Sequence, residues 1–247
     1  MLQTHFQYDN QWCLIHYPKK PNGFAVMLIG DRNYFVDEKG SFWTENNGRA
    51  RLIERLTEDG YIVFYSNLYG NHWGSQRAVQ HAIFLYQFIK RNEIINPRIH
   101  LYAEGMGALL ASKLAEKMGR SIRSVLFVSP CVSLQSYVEY VRQQKFFYKR
   151  LIKELSLAYG VNEKEWANAA EVRENHIEPY CKTSLPYYFL QIVGQNEYHQ
   201  QTDVIKQIYI ERKNRKLPTQ FDYCLAEHRS LLLDKWLKFY KENEREL

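Results

Sequence analysis

The sequence predicts an α/β fold, a mostly parallel central sheet with helices on both faces. Three observations predict it. Short apolar runs rich in β-branched and aromatic residues alternate with longer segments of helical period. Several of those runs are apolar throughout, as strands buried on both sides must be. The chain is also long enough, at 247 residues with 45% hydrophobic and 15% aromatic residues, to bury one large core. A single domain over 1–247 is expected, with a helical insertion at about 134–180.

Strands are expected over 12–17, 24–29, 61–66, 98–103, 125–129, 187–193 and 220–225. Between the second and third, a helix over 46–58 stops at Gly60. Ser75 then caps a helix in which Val79, Ala82, Ile83, Tyr86 and Ile89 recur at three and four residues, leaving Arg77, Gln80, Gln87 and Arg91 for water. A helix over 108–118 ends at Gly119, and a closing helix over 229–242 aligns Leu232, Leu233, Trp236, Leu237 and Tyr240.

One stretch breaks the alternation. Residues 135–159 and 163–173 are both helical in pattern and highly charged, and an insertion here sits over the carboxyl ends of the strands, where open α/β sheets bind ligands. It reads as a lid. Its cations Arg142, Lys145, Lys149, Arg150 and Lys153 are interleaved with Phe146, Phe147, Tyr148 and Leu151. Ordinary amphipathic behaviour packs such aromatics down and turns the cations to solvent; contact with an anionic ligand or partner is the other reading.

The remaining composition excludes more than it assigns. A formal net charge of +6 permits loose attraction to anions without specifying one. The start of the chain has no basic segment followed by an apolar stretch, so neither a signal peptide nor a membrane anchor is indicated. A cytoplasmic protein with no membrane association is expected. Cys13, Cys131, Cys181 and Cys224 form no C-x-x-C pair and read as reduced structural thiols. His72, His199, Glu197 and His228 share no metal-ligand spacing, so no metal or cofactor is expected. The basic run Arg212, Lys213, Arg215 and Lys216 lacks any accompanying nucleic-acid-binding signature, and no nucleic-acid partner is expected.

The chemistry-bearing motif is Ala103-Glu104-Gly105-Met106-Gly107, a strand, a sharp turn and a helix start. It resembles the nucleophile elbow G-x-S-x-G, with Gly105 in the serine's place. Three further landmarks follow the same order. Tyr69 to Ser75 resembles a glycine-and-histidine loop, Ile192 to Glu197 resembles the strand and turn that deliver a triad acid, and Ala226-Glu227-His228 resembles the turn that delivers a triad histidine. From about Trp12 to Trp236 the chain is similar to the α/β-hydrolase fold superfamily. That resemblance implies nucleophile, acid and histidine positions at Gly105, Glu197 and His228, the first without an attacking atom. It also places Gly30 and Asp31 in the loop that commonly supplies one oxyanion-hole amide, and Met106 as the other donor. An Asp31 side chain turned inward would oppose an oxyanion.

Three functions remain open. The first is a non-catalytic protein that keeps a lidded pocket for a small-molecule ligand or a protein partner. The second is a serine-independent hydrolase or lyase in which a Glu197-His228 base activates water. The third is an interaction module built on the basic aromatic lid or the Arg212–Lys216 run.

Overall fold

The computed structural model describes residues 2–163, 177–194 and 197–244. Among these residues, one sheet carries eight strands in the order β1-β2-β4-β3-β5-β6-β7-β8. They are β1 (Leu2–Tyr8), β2 (Gln11–Tyr17), β3 (Ala25–Ile29), β4 (Ile62–Ser66), β5 (Ile99–Glu104), β6 (Ile122–Val128), β7 (Tyr187–Val193) and β8 (Thr219–Leu225). All pairings from β4 through β8 are parallel, and β1 and β2 are added antiparallel at one edge. Strand β1 was not expected. It forms a hairpin with β2 through Asp9 and Asn10, whose positive φ values of 50° and 56° suit the tight turn that matches strand twist.

The helices are α1 (Phe42–Glu45), α2 (Asn47–Glu58), α3 (Gln76–Asn92), α4 (Gly107–Lys117), α5 (Leu134–Arg142), α6 (Lys145–Tyr159), α7 (Glu178–Cys181), α8 (Thr202–Asn214) and α9 (Leu233–Glu242). On one face of the sheet, Val79, Ala82, Leu110, Leu114, Ile205 and Ile208 cover Met27, Leu101, Phe127 and Phe189. On the other, Leu52, Leu56, Trp236 and Tyr240 cover Leu28, Val63, Tyr102 and Leu190. These two apolar layers explain why the central strands read as unbroken hydrophobic runs.

A third apolar cluster joins the inserted helices to the strand ends: Tyr137, Val141, Leu151 and Leu155 group with Trp73, Met106 and Tyr198. The insertion differs from expectation in two respects. The run 135–159 is two helices, α5 and α6, with Gln143 and Gln144 between them. Phe146 and Phe147 do not pack down; they are 91% and 62% exposed. The expected helix over 163–173 lies almost wholly outside the described residues. The closing helix begins later than its pattern indicated, after a 3-10 turn at Ala226–Leu232.

Buried histidines punctuate this core. His16 hydrogen-bonds the Tyr65 hydroxyl at 2.9 Å, and His72 Nδ1 accepts the Gly74 amide at 3.1 Å. His100 lies between Ser124 Oγ (2.7 Å) and Glu244 Oε1 (3.2 Å). Burial is the main cause that lowers all three pKa values from 6.5, to about 4 for His16 and about 3 for His72. A histidine held neutral in the fold stabilises it fully above the unfolded pKa, and that contribution is lost as pH falls below 6.5 toward the folded value. His16 and His72 should each withdraw about 1.4 kcal/mol per pH unit in this window. Urea unfolding at pH 7.5 and pH 5 should therefore show a large fall in midpoint, before most carboxylates titrate; equal midpoints would contradict this assignment.

Candidate functional site

The site is built where β5 ends. Gly105 has φ +51°, a left-handed conformation that glycine adopts without steric cost. Its backbone is pinned to the neighbouring strand end: the Gly105 amide donates to Val128 O at 3.2 Å, and the Cys131 amide donates to Gly105 O at 2.8 Å. The residue position is thus an elbow held by the last residue of β6 and by the chain that follows it.

The space that a side chain at 105 would enter is filled from the loop after β3. A Cβ built on Gly105 overlaps Cγ, Oδ1 and Oδ2 of Asp31. The Met106 amide donates to Asp31 Oδ1 at 2.9 Å, and the Tyr198 hydroxyl donates to the same oxygen at 2.8 Å. Asp31 therefore takes the Met106 amide, the group expected from the sequence to serve as an oxyanion donor. Gly30 permits the loop's path, since a Cβ there would lie 2.7 Å from Tyr34 side-chain atoms. Burial is the largest influence on Asp31 and raises its pKa, and the nearby Glu197 charge adds to the rise. The amides of Met106 and Arg32 and the Tyr198 hydroxyl oppose it.

Glu197 is tied to a different set of groups. Its Oε1 accepts from Arg32 Nη1 and from the Tyr137 hydroxyl, both at 2.5 Å. Arg32 also faces Glu154 (Nε to Oε2, 3.5 Å) and lies 5.8 Å from the Trp73 ring centre. Trp73 Nε1 in turn donates to Glu154 at 3.2 Å. Arg32 thus links the loop after β3 to both α5 and α6. Glu104, almost fully buried, accepts from Tyr34 (2.6 Å), Tyr102 (2.8 Å) and Arg49 (3.2 Å).

Asp31, Glu104 and Glu197 line one cleft of about 410 Å³ together with Tyr34, Arg49, Ser129, Ile192, Tyr198 and Ala226. Ser129 lies there with φ +42°, its Oγ accepting the Ile192 amide at 3.3 Å. His228 stands two residues beyond Ala226 on the same 3-10 turn, exposed to solvent. No hydrogen bond or ion pair joins it to Glu197, whose partners are Arg32 and Tyr137. The structure therefore brings Gly30, Asp31, Gly105 and Met106 into one constellation, sets Glu197 on its rim, and leaves the imidazole outside the hydrogen-bonded set. Cys131 is buried and its pKa is raised well above the usual thiol value, chiefly by burial, so it is no ready nucleophile. Among the described residues, no group of three or more His, Cys, Asp or Glu side chains is placed to hold a metal ion.

Sequence reasoning did not single out Tyr198, Tyr137 or Arg49. The available signals were adjacency alone: Tyr198 follows Glu197, as Arg32 follows Asp31.

No protein-family model and no curated protein matches the sequence. Solved structures do. Est1E from Butyrivibrio proteoclasticus superposes with a TM-score of 0.67 at 11% identity, covering 99% of each chain. The acylaminoacyl peptidase of Pyrococcus horikoshii gives 0.69 at 10% identity over 100% of this chain, which spans 42% of that one. MGS-MChE2, an α/β-hydrolase enzyme from a lagoon-sediment metagenome, gives 0.59 at 15% identity over 97% of this chain and 98% of its own. The chain has the α/β-hydrolase fold. At these identities the likeness concerns the fold alone.

The Asp31 environment generates a test. A carboxyl whose folded pKa is raised contributes stability below its unfolded pKa and loses that contribution as pH rises through the folded value. Asp31→Asn keeps an acceptor oxygen and removes the charge. It should raise Tm at pH 7.5 by about 2–4 °C, the equivalent of about 1 kcal/mol in a chain of this size, with the difference closing toward pH 3. A variant less stable than the parent at pH 7.5 would contradict this.

Proposed function

We propose that this protein is a non-catalytic member of the α/β-hydrolase fold that retains a cleft for a small ligand or a protein partner. One observation carries the reading: the Asp31 carboxyl fills the side-chain space of residue 105 and takes the Met106 amide. Acyl transfer at such an elbow needs an attacking atom on that residue and free amides for the developing oxyanion. Here the attacking atom is missing. An acceptor also stands where donors are needed, and loss of one oxyanion donor alone costs roughly 10²–10³ in rate.

Water activation by a Glu197-His228 base fits the geometry less well. Glu197 is engaged by Arg32 and Tyr137, and among the described residues no carboxylate pairs with His228 to fix its tautomer. In the favoured reading α5 and α6 act as a lid over the cleft, the protein works in the cytoplasm, and no cofactor takes part.

Hydrolysis of p-nitrophenyl butyrate by the purified protein should not exceed the buffer rate, and His228→Ala should not change it. Turnover that His228→Ala abolishes would overturn the proposal. Gly105→Ser should lower Tm, because its Cβ must displace the Asp31 carboxyl, and the folded fraction should remain unreactive toward a fluorophosphonate probe, because that carboxyl stays beside the site and opposes an oxyanion. Labelling at Ser introduced there would show that the rest of the machinery is intact and would contradict the reading.

A further inference from the structure

The corner between α5 and α6 sets exposed aromatic rings among cations. Residues 142–147, Arg-Gln-Gln-Lys-Phe-Phe, are exposed without interruption. Phe146 and Phe147 project from it, at 91% and 62% exposure. From Arg142 to Lys153 the chain carries Arg142, Lys145, Lys149, Arg150 and Lys153 and not one acidic residue. Arg150 pairs with Glu154 at 3.0 Å, but among the described residues Arg142, Lys145, Lys149 and Lys153 enter no ion pair. Farther along α6, Leu157 is also exposed, at 77%. Phe146, Lys149, Lys153 and Leu157 follow at spacings that place them along one side of the helix.

Two adjacent exposed phenylalanines at the turn between α5 and α6 suit a partner that is apolar beneath a charged surface. Unpaired lysines around them need that surface to be negative. We infer that the α5–α6 corner is a docking site for an anionic lipid surface. Phe146 and Phe147 enter the boundary between headgroups and acyl chains, and Arg142, Lys145, Lys149 and Lys153 face the lipid phosphates and carboxylates. An acidic protein would need a preformed apolar pocket within a negative rim to satisfy both features, whereas an anionic lipid surface offers both without a matching shape. No helix among the described residues is long and apolar enough to cross a membrane, and none is required for contact of this kind. The expectation of no membrane association rested on the lack of a spanning or anchoring segment, which does not bear on a surface corner.

The corner adjoins the cleft. Phe147 and Arg150 line a cavity of about 340 Å³ with Arg32, Tyr137 and Glu197, and Glu197 also lines the cleft beside Gly105. Docking would therefore bring the candidate site close to the lipid surface.

The experiment is co-sedimentation of the full chain with vesicles of phosphatidylcholine alone and of phosphatidylcholine with 30 mol% phosphatidylglycerol, at about 50 mM and 500 mM salt. Binding is expected to the anionic vesicles at low salt only. Lys145→Glu/Lys149→Glu/Lys153→Glu should weaken it at least about 100-fold, since each lysine beside an anionic surface contributes about fivefold. Phe146→Ser/Phe147→Ser, at positions 91% and 62% exposed, should weaken it at least about tenfold with Tm held within a few degrees. In Phe146→Trp, the added emission should shift to the blue on binding. Failure of the parent protein to bind anionic vesicles at low salt would overturn the inference. So would binding retained by the phenylalanine double variant, which would assign the patch to acidic surfaces in general, or bound Phe146→Trp protein whose emission does not shift.

Discussion

The geometry of the strand ends depends on one contact, the carboxyl of Asp31 seated against Gly105 and the Met106 amide. Each partner makes sense only with the other. Residue 105 must be glycine because any Cβ would enter the carboxyl, and its left-handed φ adds a second demand for the same residue. Asp31 in turn must find donors once it is enclosed, and it finds them in the Met106 amide and the Tyr198 hydroxyl. The loop after β3, the elbow after β5 and the segment after β7 are thereby fastened at a single point.

Around that point the charges are sorted by partner rather than pooled. Glu104 is satisfied by two tyrosines and Arg49, Glu197 by Arg32 and Tyr137, and Asp31 by neutral donors alone. Burial and the neighbouring Glu197 both oppose the ionisation of Asp31. An elbow that usually presents donors to a substrate presents an acceptor here. The proposed non-catalytic role rests on this acceptor together with the absence of a side chain at residue 105.

Most of the sheet was legible because its central strands are buried on two faces and read as apolar runs; β3 and β4 are fully buried along their length. Strand β1 was not, since it is an edge strand whose residues are largely exposed and carry no such run. The elbow was legible from its glycines and its place between strand and helix. The direction of Asp31 was not, because a loop residue two positions from a strand end can turn either way. Only the space left by Gly105 and the donors of Met106 and Tyr198 decide it. The pairing of Glu197 with Arg32 joins positions 165 residues apart, a distance no local pattern spans. The exposed Phe146 and Phe147 escaped an amphipathic reading because the helix breaks at Gln143 and Gln144, which resets the face that α6 presents.

The interlock of residues 31 and 105 is tested most directly by a double-mutant cycle of unfolding free energies with Gly105→Ala and Asp31→Gly. The account predicts that Gly105→Ala alone costs more than about 3 kcal/mol, from overlap with the carboxyl added to the left-handed backbone cost. In the Asp31→Gly background it should cost only about 1 kcal/mol, leaving a coupling of about 2 kcal/mol or more. Additive costs, with Gly105→Ala equally damaging whether or not Asp31 is present, would contradict it.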